Sequence, residues 1–128
     1  MIYFFLGNYE SIRKNYLPVD YIEDIKNNNV IGTVHCEAEW DRQDQVGETK
    51  WLEKLSQKNK FPNAVVGHAW FHKKNTEAVI AEQASFDIVK GIRSKPSVKF
   101  SKNSKKYITD GSMKDDNWRA GLKLLEKY

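Results

Sequence analysis

The chain has 128 residues, a net charge of +4 at neutral pH, and 40% hydrophobic and 12% aromatic residues. That length supports one domain with a real core, burying roughly two-thirds of the unfolded surface, but a complete (β/α)8 barrel needs roughly 200 residues or more. The composition excludes a disordered polymer, and the positive charge, 17 Lys against 4 Arg, is dispersed rather than gathered into a nucleic-acid-binding stripe.

The opening run Met1–Leu6 is apolar, but it has no basic flank and is too short for a secretory signal. No stretch approaches the ~18 apolar residues of a membrane span, so a cytoplasmic protein is expected. The single cysteine, Cys36, excludes an intramolecular disulfide and a CxxC metal knuckle.

Pro18 stands where a first helical turn begins, and Val19, Ile22 and Ile25 recur at helical spacing until Asn27-Asn28-Asn29 stops them. Val30–Cys36 is β-branched and nearly continuous in hydrophobicity, which predicts a strand covered on both faces. A helix is expected over Gly47–Lys58, with Trp51, Leu52 and Leu55 on one side, and a second strand over Ala64–Ala69. Asn75 or Thr76 should cap a third helix, and Phe86–Ile92 should form a third strand leading into Arg93. Ser94–Gly111, polar and Lys-rich, is expected to be a long loop before a last helix capped by Asp115 or Asp116. That helix carries Trp118, Leu122, Leu124 and Leu125 as its apolar members.

Strands separated by helices cannot pair as hairpins, so an α/β fold with parallel strands and right-handed crossovers follows. An open doubly wound sheet and a barrel slice both fit this order.

Functional groups in such folds collect at the C-terminal ends of strands. Period-2 alternation places Thr33, His35 and Glu37 on one face of the first strand and Val34, Cys36 and Ala38 on the other. The apolar second face is expected to meet the helix layer, and the first to bring a histidine and a carboxylate to the mouth of the sheet. His68 ends the second strand and Arg93 the third, with Lys95 two residues on. His35, Glu37, His68 and Arg93 are therefore the expected substrate-binding residues. Each has a plainer reading: the histidines as hydrogen-bonded structural groups, Glu37 and Arg93 as a buried ion pair. A guanidinium is a rigid fork suited to a carboxylate or phosphate, which favours Arg93 as the functional group. Trp40 and Asp41 belong to the loop rim or, for Asp41, to a turn; His72, beside Lys73 and Lys74, is expected to face solvent.

The three histidines, one cysteine and scattered carboxylates fall into no HxH, HExxH or CxxC spacing. GxGxxG, GxxxxGK[ST] and GxSxG are absent, and Gly111-Ser112-Met113 is no phosphate cradle.

Several runs nevertheless resemble the amidohydrolase-related family of metal-dependent TIM-barrel hydrolases, in order from about Leu6 to Tyr128. They are Tyr16–Tyr21, Gly32–Asp41, Gly47–Leu52, Gly91–Pro96, Gly111–Met113 and Trp118–Gly121. Within it they look most like the sugar-lactone and pyrone-dicarboxylate lactonase branch. The resemblance implies a (β/α)8 barrel of which this chain holds about three βα units, strands two to four, as one partial domain over residues 1–128. It implies hydrolysis of a small carboxylated or sugar-acid lactone by water, with a divalent metal such as zinc in some members. The family's HxH strand and terminal Asp base lie outside these residues, so the chain supplies part of a substrate pocket rather than a complete catalytic set. A small-molecule substrate, the missing barrel portion or self-association are the implied partners, with no nucleic acid and no membrane. The alternative is a non-catalytic barrel fragment that binds a small carboxylate or a partner protein.

Overall fold

The computed structural model describes Glu10 and residues 13–128, so the Met1–Leu6 run lies outside the described residues. The chain divides into two units, Met1–Ile31 and Gly32–Tyr128.

In the first unit, Pro18 opens helix α1 (Pro18–Asp24), because its fixed φ suits the first turn. The Asp20 carboxylate accepts the Leu17 N–H at 2.7 Å, satisfying a donor that the helix start leaves over. None of its residues is buried.

The second unit carries β1 (Val34–Cys36), α2 (Gly47–Lys58), β2 (Ala64–His68), α3 (Thr76–Ala84), β3 (Val89–Arg93), β4 (Lys99–Ser101), β5 (Lys106–Ile108) and α4 (Asp116–Lys123), with a closing 3-10 turn (Leu124–Glu126). The three strands β1, β2 and β3 pair in that order, all parallel. The α/β class and the parallel sheet are as the sequence predicts.

Boundaries differ for local reasons. β1 starts at Val34, not Val30, because pairing begins only where β2 supplies Ala64 as a partner. Just before it the Thr33 carbonyl accepts from Asn63 N at 3.0 Å, and Thr33 N donates to Asn63 Oδ1 at 2.9 Å. β3 starts at Val89 because Phe86 N–H turns back to the Gln83 carbonyl. Asp115 caps α4, accepting from Asn117 N at 2.9 Å and, through its other oxygen, from Gly111 N at 2.7 Å. These donors hold its carboxyl below the usual range.

Two expectations are corrected. Ser94–Gly111 is not a plain loop: β4 and β5 form an antiparallel hairpin within it. Phe100 and Tyr107 pack edge to face across that hairpin with centroids 5.2 Å apart, a cross-strand pair that stabilises a two-stranded ribbon. The faces of β1 are also reversed. His35 pairs with Val65, and Val65 packs with Leu52 of α2 and with Ile88. A Cβ on Gly67 would stand 2.7 Å from the Gln83 side chain of α3. His35, Val65 and Gly67 therefore face the helices.

The other face carries Val34 (66% exposed) and the exposed Cys36, and a Cβ added at Gly91 would meet nothing within 4 Å. Among the described residues that face is uncovered around Val34, Cys36 and Gly91, while His68, at its rim, is buried.

The core lies between sheet and helices. Val46, Ala69, Phe71, Val79, Ile80 and Trp118 form one cluster, joined by Ile92, Leu124 and Leu125. Leu122, expected with them, is 44% exposed. The most deeply buried polar residue is Gln83, 0% exposed. Its Oε1 accepts from Thr49 Oγ1 at 2.7 Å, and its Nε2 donates to the carbonyls of Gln45 and His68, each at 3.0 Å. A polar group so buried is tolerated because every bond it needs is made.

Candidate functional site

The C-terminal ends of the three parallel strands meet at one rim. Glu37 lies one residue past the last ladder pair of β1, with its N–H on the Val66 carbonyl at 2.9 Å. Its side chain is 1% exposed. Oε1 accepts from Arg93 Nε at 2.6 Å and Oε2 from Glu39 N at 2.9 Å. Arg93 Nη2 also donates to the Glu37 carbonyl at 2.5 Å. One arginine at the end of β3 thus grips both backbone and side chain at the end of β1, across the intervening β2.

His68 and Arg93 are register partners, so they leave the sheet on the same side. The His68 side chain is 7% exposed, and its Nδ1 lies 3.6 Å from Glu37 Oε2, beyond hydrogen-bond length. Burial lowers its pKa, opposed by the nearby carboxylates of Glu37 and Glu39, and desolvation is the larger effect. His68 is therefore neutral at pH 7. The hydrogen bond with Glu37 pushes the Arg93 guanidinium pKa further up, fixing its charge.

Beyond the strand ends, Glu39 takes a left-handed backbone (φ 57) and its carboxylate accepts from Lys95 Nζ at 2.7 Å. That bond holds the Glu39 carboxyl below its ordinary pKa. The ends of β1 and β3 are therefore tied twice, by Glu37 with Arg93 and by Glu39 with Lys95.

Of the four expected site residues, Glu37, His68 and Arg93 come together and His35 does not. His35 is turned to the helix layer, where its Nε2 lies 2.7 Å from Glu48 Oε1. Glu48, in the first turn of α2 and 6% exposed, also accepts the backbone N–H of Ala38 at 2.9 Å and of Trp40 at 3.4 Å. Its position suits the positive end of the helix. Sequence reasoning missed Glu48, although it sits within the Gly47–Leu52 run. Asp41 is a turn residue, its Oδ1 accepting from Gln43 N at 2.8 Å. Trp40 is exposed and stacks at a tilt on Trp51, 5.5 Å between centroids.

His72 does not project freely into solvent, as the flanking lysines suggested. It is half-buried, its Nδ1 is enclosed without a partner among the described residues, and a Cβ on Gly111 would touch its ring at 3.1 Å.

The loops that follow the strands enclose an open cleft of about 700 Å³. Arg42, Lys73, Lys95 and Lys99 line it against Glu39 and Asp110, so cations outnumber anions around it. Trp70 and His72 supply aromatic walls. His68 lines a smaller neighbouring pocket that shares Glu39, Arg42, Gln45 and Trp70 with the cleft. Arg93 lines neither of them; it is 42% exposed at the end of β3, with Nε and Nη2 engaged and no bond to Nη1 among the described residues.

Such a rim can bind an anion and fix its orientation. Among the described residues no group of three His, Cys, Asp or Glu side chains is placed to hold a metal ion. No helix among the described residues is long and apolar enough to cross a membrane.

Fold and site define a mixed α/β protein built on a three-stranded parallel sheet, with its polar groups gathered at the strand ends. No protein-family model matches the chain, and no solved structure does. It is 33% identical over 123 residues to the uncharacterized protein y4mH of Sinorhizobium fredii. The match takes in 94% of this chain but 41% of that relative, so the chain spans less than half the length of the relative it matches.

Proposed function

We propose that the chain is part of a cytoplasmic lactonase-like hydrolase of the amidohydrolase-related family, acting on a small carboxylated or sugar-acid lactone. It would form strands two to four of the barrel wall and part of the substrate pocket. The observation that carries this reading is the placement of Arg93: its guanidinium is locked by buried Glu37 at the strand ends, with Nη1 uncommitted. A guanidinium so fixed is pre-organised for a carboxylate, because its orientation is set before the ligand arrives.

Three further features support it. Strands in sequential order with their helices on one face match the wall of a barrel, whose other face lines the interior. The cleft at the strand ends is cationic, suiting a carboxylated substrate. The relative is more than twice as long as the matched region, leaving room for further strands. In this reading Arg93 binds the carboxylate, neutral His68 offers a hydrogen bond to the lactone, and Glu37 positions Arg93. His35 acts at one remove, through Glu48 and the loop that Glu48 holds.

The test is a titration of the 128-residue chain with carboxylated lactones, followed by NMR. Saturable shifts at the Arg93 Nε–H and the amides of Glu39, Trp70 and Lys95 are expected. They should weaken roughly tenfold in Arg93→Lys, which keeps the charge and loses the fork. Absence of any saturable shift at those groups across the panel would overturn the assignment.

A further inference from the structure

We infer that the hairpin formed by β4 and β5 is a docking surface for an anionic phospholipid bilayer. It meets the bilayer through Phe100 and Tyr107, and the inference stands independently of the lactone reading.

The hairpin holds its large apolar side chains in water. Phe100 is 52% and Tyr107 72% exposed, and Val98 and Ile108 are exposed beside them. Among the described residues none of the four joins either core cluster. Single exposed hydrophobics are ordinary on a protein surface, but four gathered on one short ribbon mark an interaction site. A two-stranded ribbon is also only marginally stable in water without something packed on it.

Charge decides the kind of partner. Between Asp87 and Asp110 the sequence holds no acidic residue, and the hairpin carries Lys99, Lys102, Lys105 and Lys106. All four lysines are exposed. None of them is in a salt bridge among the described residues. The complement of such a surface is apolar at contact and negative around it.

The register separates a lipid surface from a nucleic acid. Phe100 stands opposite Tyr107, Lys99 opposite Ile108, and Ser101 opposite Lys106. Alternation therefore puts both rings on one face and Lys99 and Lys106 on the other. Lys102 and Lys105 begin and end the turn. A nucleic-acid strand stacked on the rings would leave Lys99 and Lys106 behind the ribbon, away from its phosphates. A bilayer surface carries no such restriction. The ring face enters the boundary between headgroups and acyl chains, and the long lysine stems reach round to the phosphate level. The Tyr107 hydroxyl stays among the headgroups, where aromatic side chains with a polar tip collect. The ribbon lies in the interface rather than across it, because its outer backbone groups need water. The family resemblance implies no membrane partner, and this hairpin, expected as a plain loop, is the ground for departing from it.

The 128-residue chain is sedimented with vesicles of phosphatidylcholine alone and of an equimolar mixture with phosphatidylglycerol. Binding to the mixed vesicles is expected to be at least about tenfold the stronger. Phe100→Ser with Tyr107→Ser should weaken it about tenfold, through loss of the apolar contact. Lys102→Glu with Lys105→Glu, which leaves the ring pair intact, should weaken it as much. Lys54→Glu with Lys58→Glu makes the same change in net charge at exposed positions of α2 and should leave binding unchanged. No sedimentation with the mixed vesicles overturns the inference. So does equal loss in the two lysine pairs, which would assign the binding to net charge alone, or undiminished binding without the rings. Binding of oligodeoxythymidylate that needs both rings, with the vesicles left unbound, would assign the surface to nucleic acid instead.

Discussion

Arg93 and Glu37, 56 positions apart, close the rim of the sheet: Arg93 Nε donates to the buried Glu37 carboxylate at 2.6 Å and Nη2 to the Glu37 carbonyl at 2.5 Å. Arg93→Met leaves that carboxylate, 1% exposed, without its counter-charge. Because Arg93 itself is partly solvated, the expected loss is about 2 kcal/mol rather than the larger cost of breaking a fully buried pair. Urea denaturation measures it, and adding Glu37→Gln should recover part of the loss. A single variant within about 0.5 kcal/mol of the parent would show that the pair does not hold the strands together.

Gln83 and Gly67 should be coupled. A methyl group at position 67 would stand 2.7 Å from the Gln83 amide, which its three hydrogen bonds prevent from moving away. Gly67→Ala should cost about 1–3 kcal/mol, and clearly less in a Gln83→Ala background where the space is open. Equal costs in both backgrounds would refute the contact.

Gly121 reverses a common rule. Replacing a helical glycine with alanine ordinarily stabilises by about 1 kcal/mol. Here the added Cβ would lie 2.2 Å from the carbonyl oxygen of Phe71, a backbone atom with no freedom to rotate aside. Gly121→Ala is expected to destabilise by about 3 kcal/mol, read as a lowered melting temperature.

The depressed pKa of His68 has a pH signature. In the folded chain it resists protonation, whereas unfolded it takes up a proton near pH 6.5, so below that point the unfolded state binds more protons. The stability from burying the neutral ring is complete above about pH 6.5 and declines as pH falls from there to the folded pKa. Thermal melts between pH 7.5 and pH 5 should show this decline, and His68→Gln should flatten it. A slope unchanged in His68→Gln would assign the effect elsewhere.

Cys36, on the uncovered sheet face, should react completely with a neutral maleimide in the native chain. Protection of the thiol without denaturant would show that this face is covered in solution.

Much of the fold was legible in the chain itself. The helix Gly47–Lys58 could be bounded by its apolar spacing alone. The strand starts were less legible, since Val30–Ile31 has a strand's composition although β1 begins only at Val34. The hairpin in Ser94–Gly111 was hidden because its strands have three residues each, too few for alternation to register.

Three of the four residues expected at the site do lie together at the strand ends. His35 could not be placed, because alternation says which residues share a face but not which face the helices cover. Glu48 and Gln83 gave no signal, since their roles depend on loops and strands far away in the chain.

The sequence by itself determined the alternation of helix and strand, and with it a parallel sheet with Glu37, His68 and Arg93 at its mouth. Local spacing suffices for that. Only the tertiary structure decided that His35 turns inward to Glu48, that Val34 and Cys36 lie uncovered, and that Arg93 is held by Glu37. The physical reason is that period-2 alternation is symmetric between the two faces of a sheet. That symmetry is broken only when α2 and α3 settle on one side, bringing Glu48 to His35 and Gln83 to Gly67.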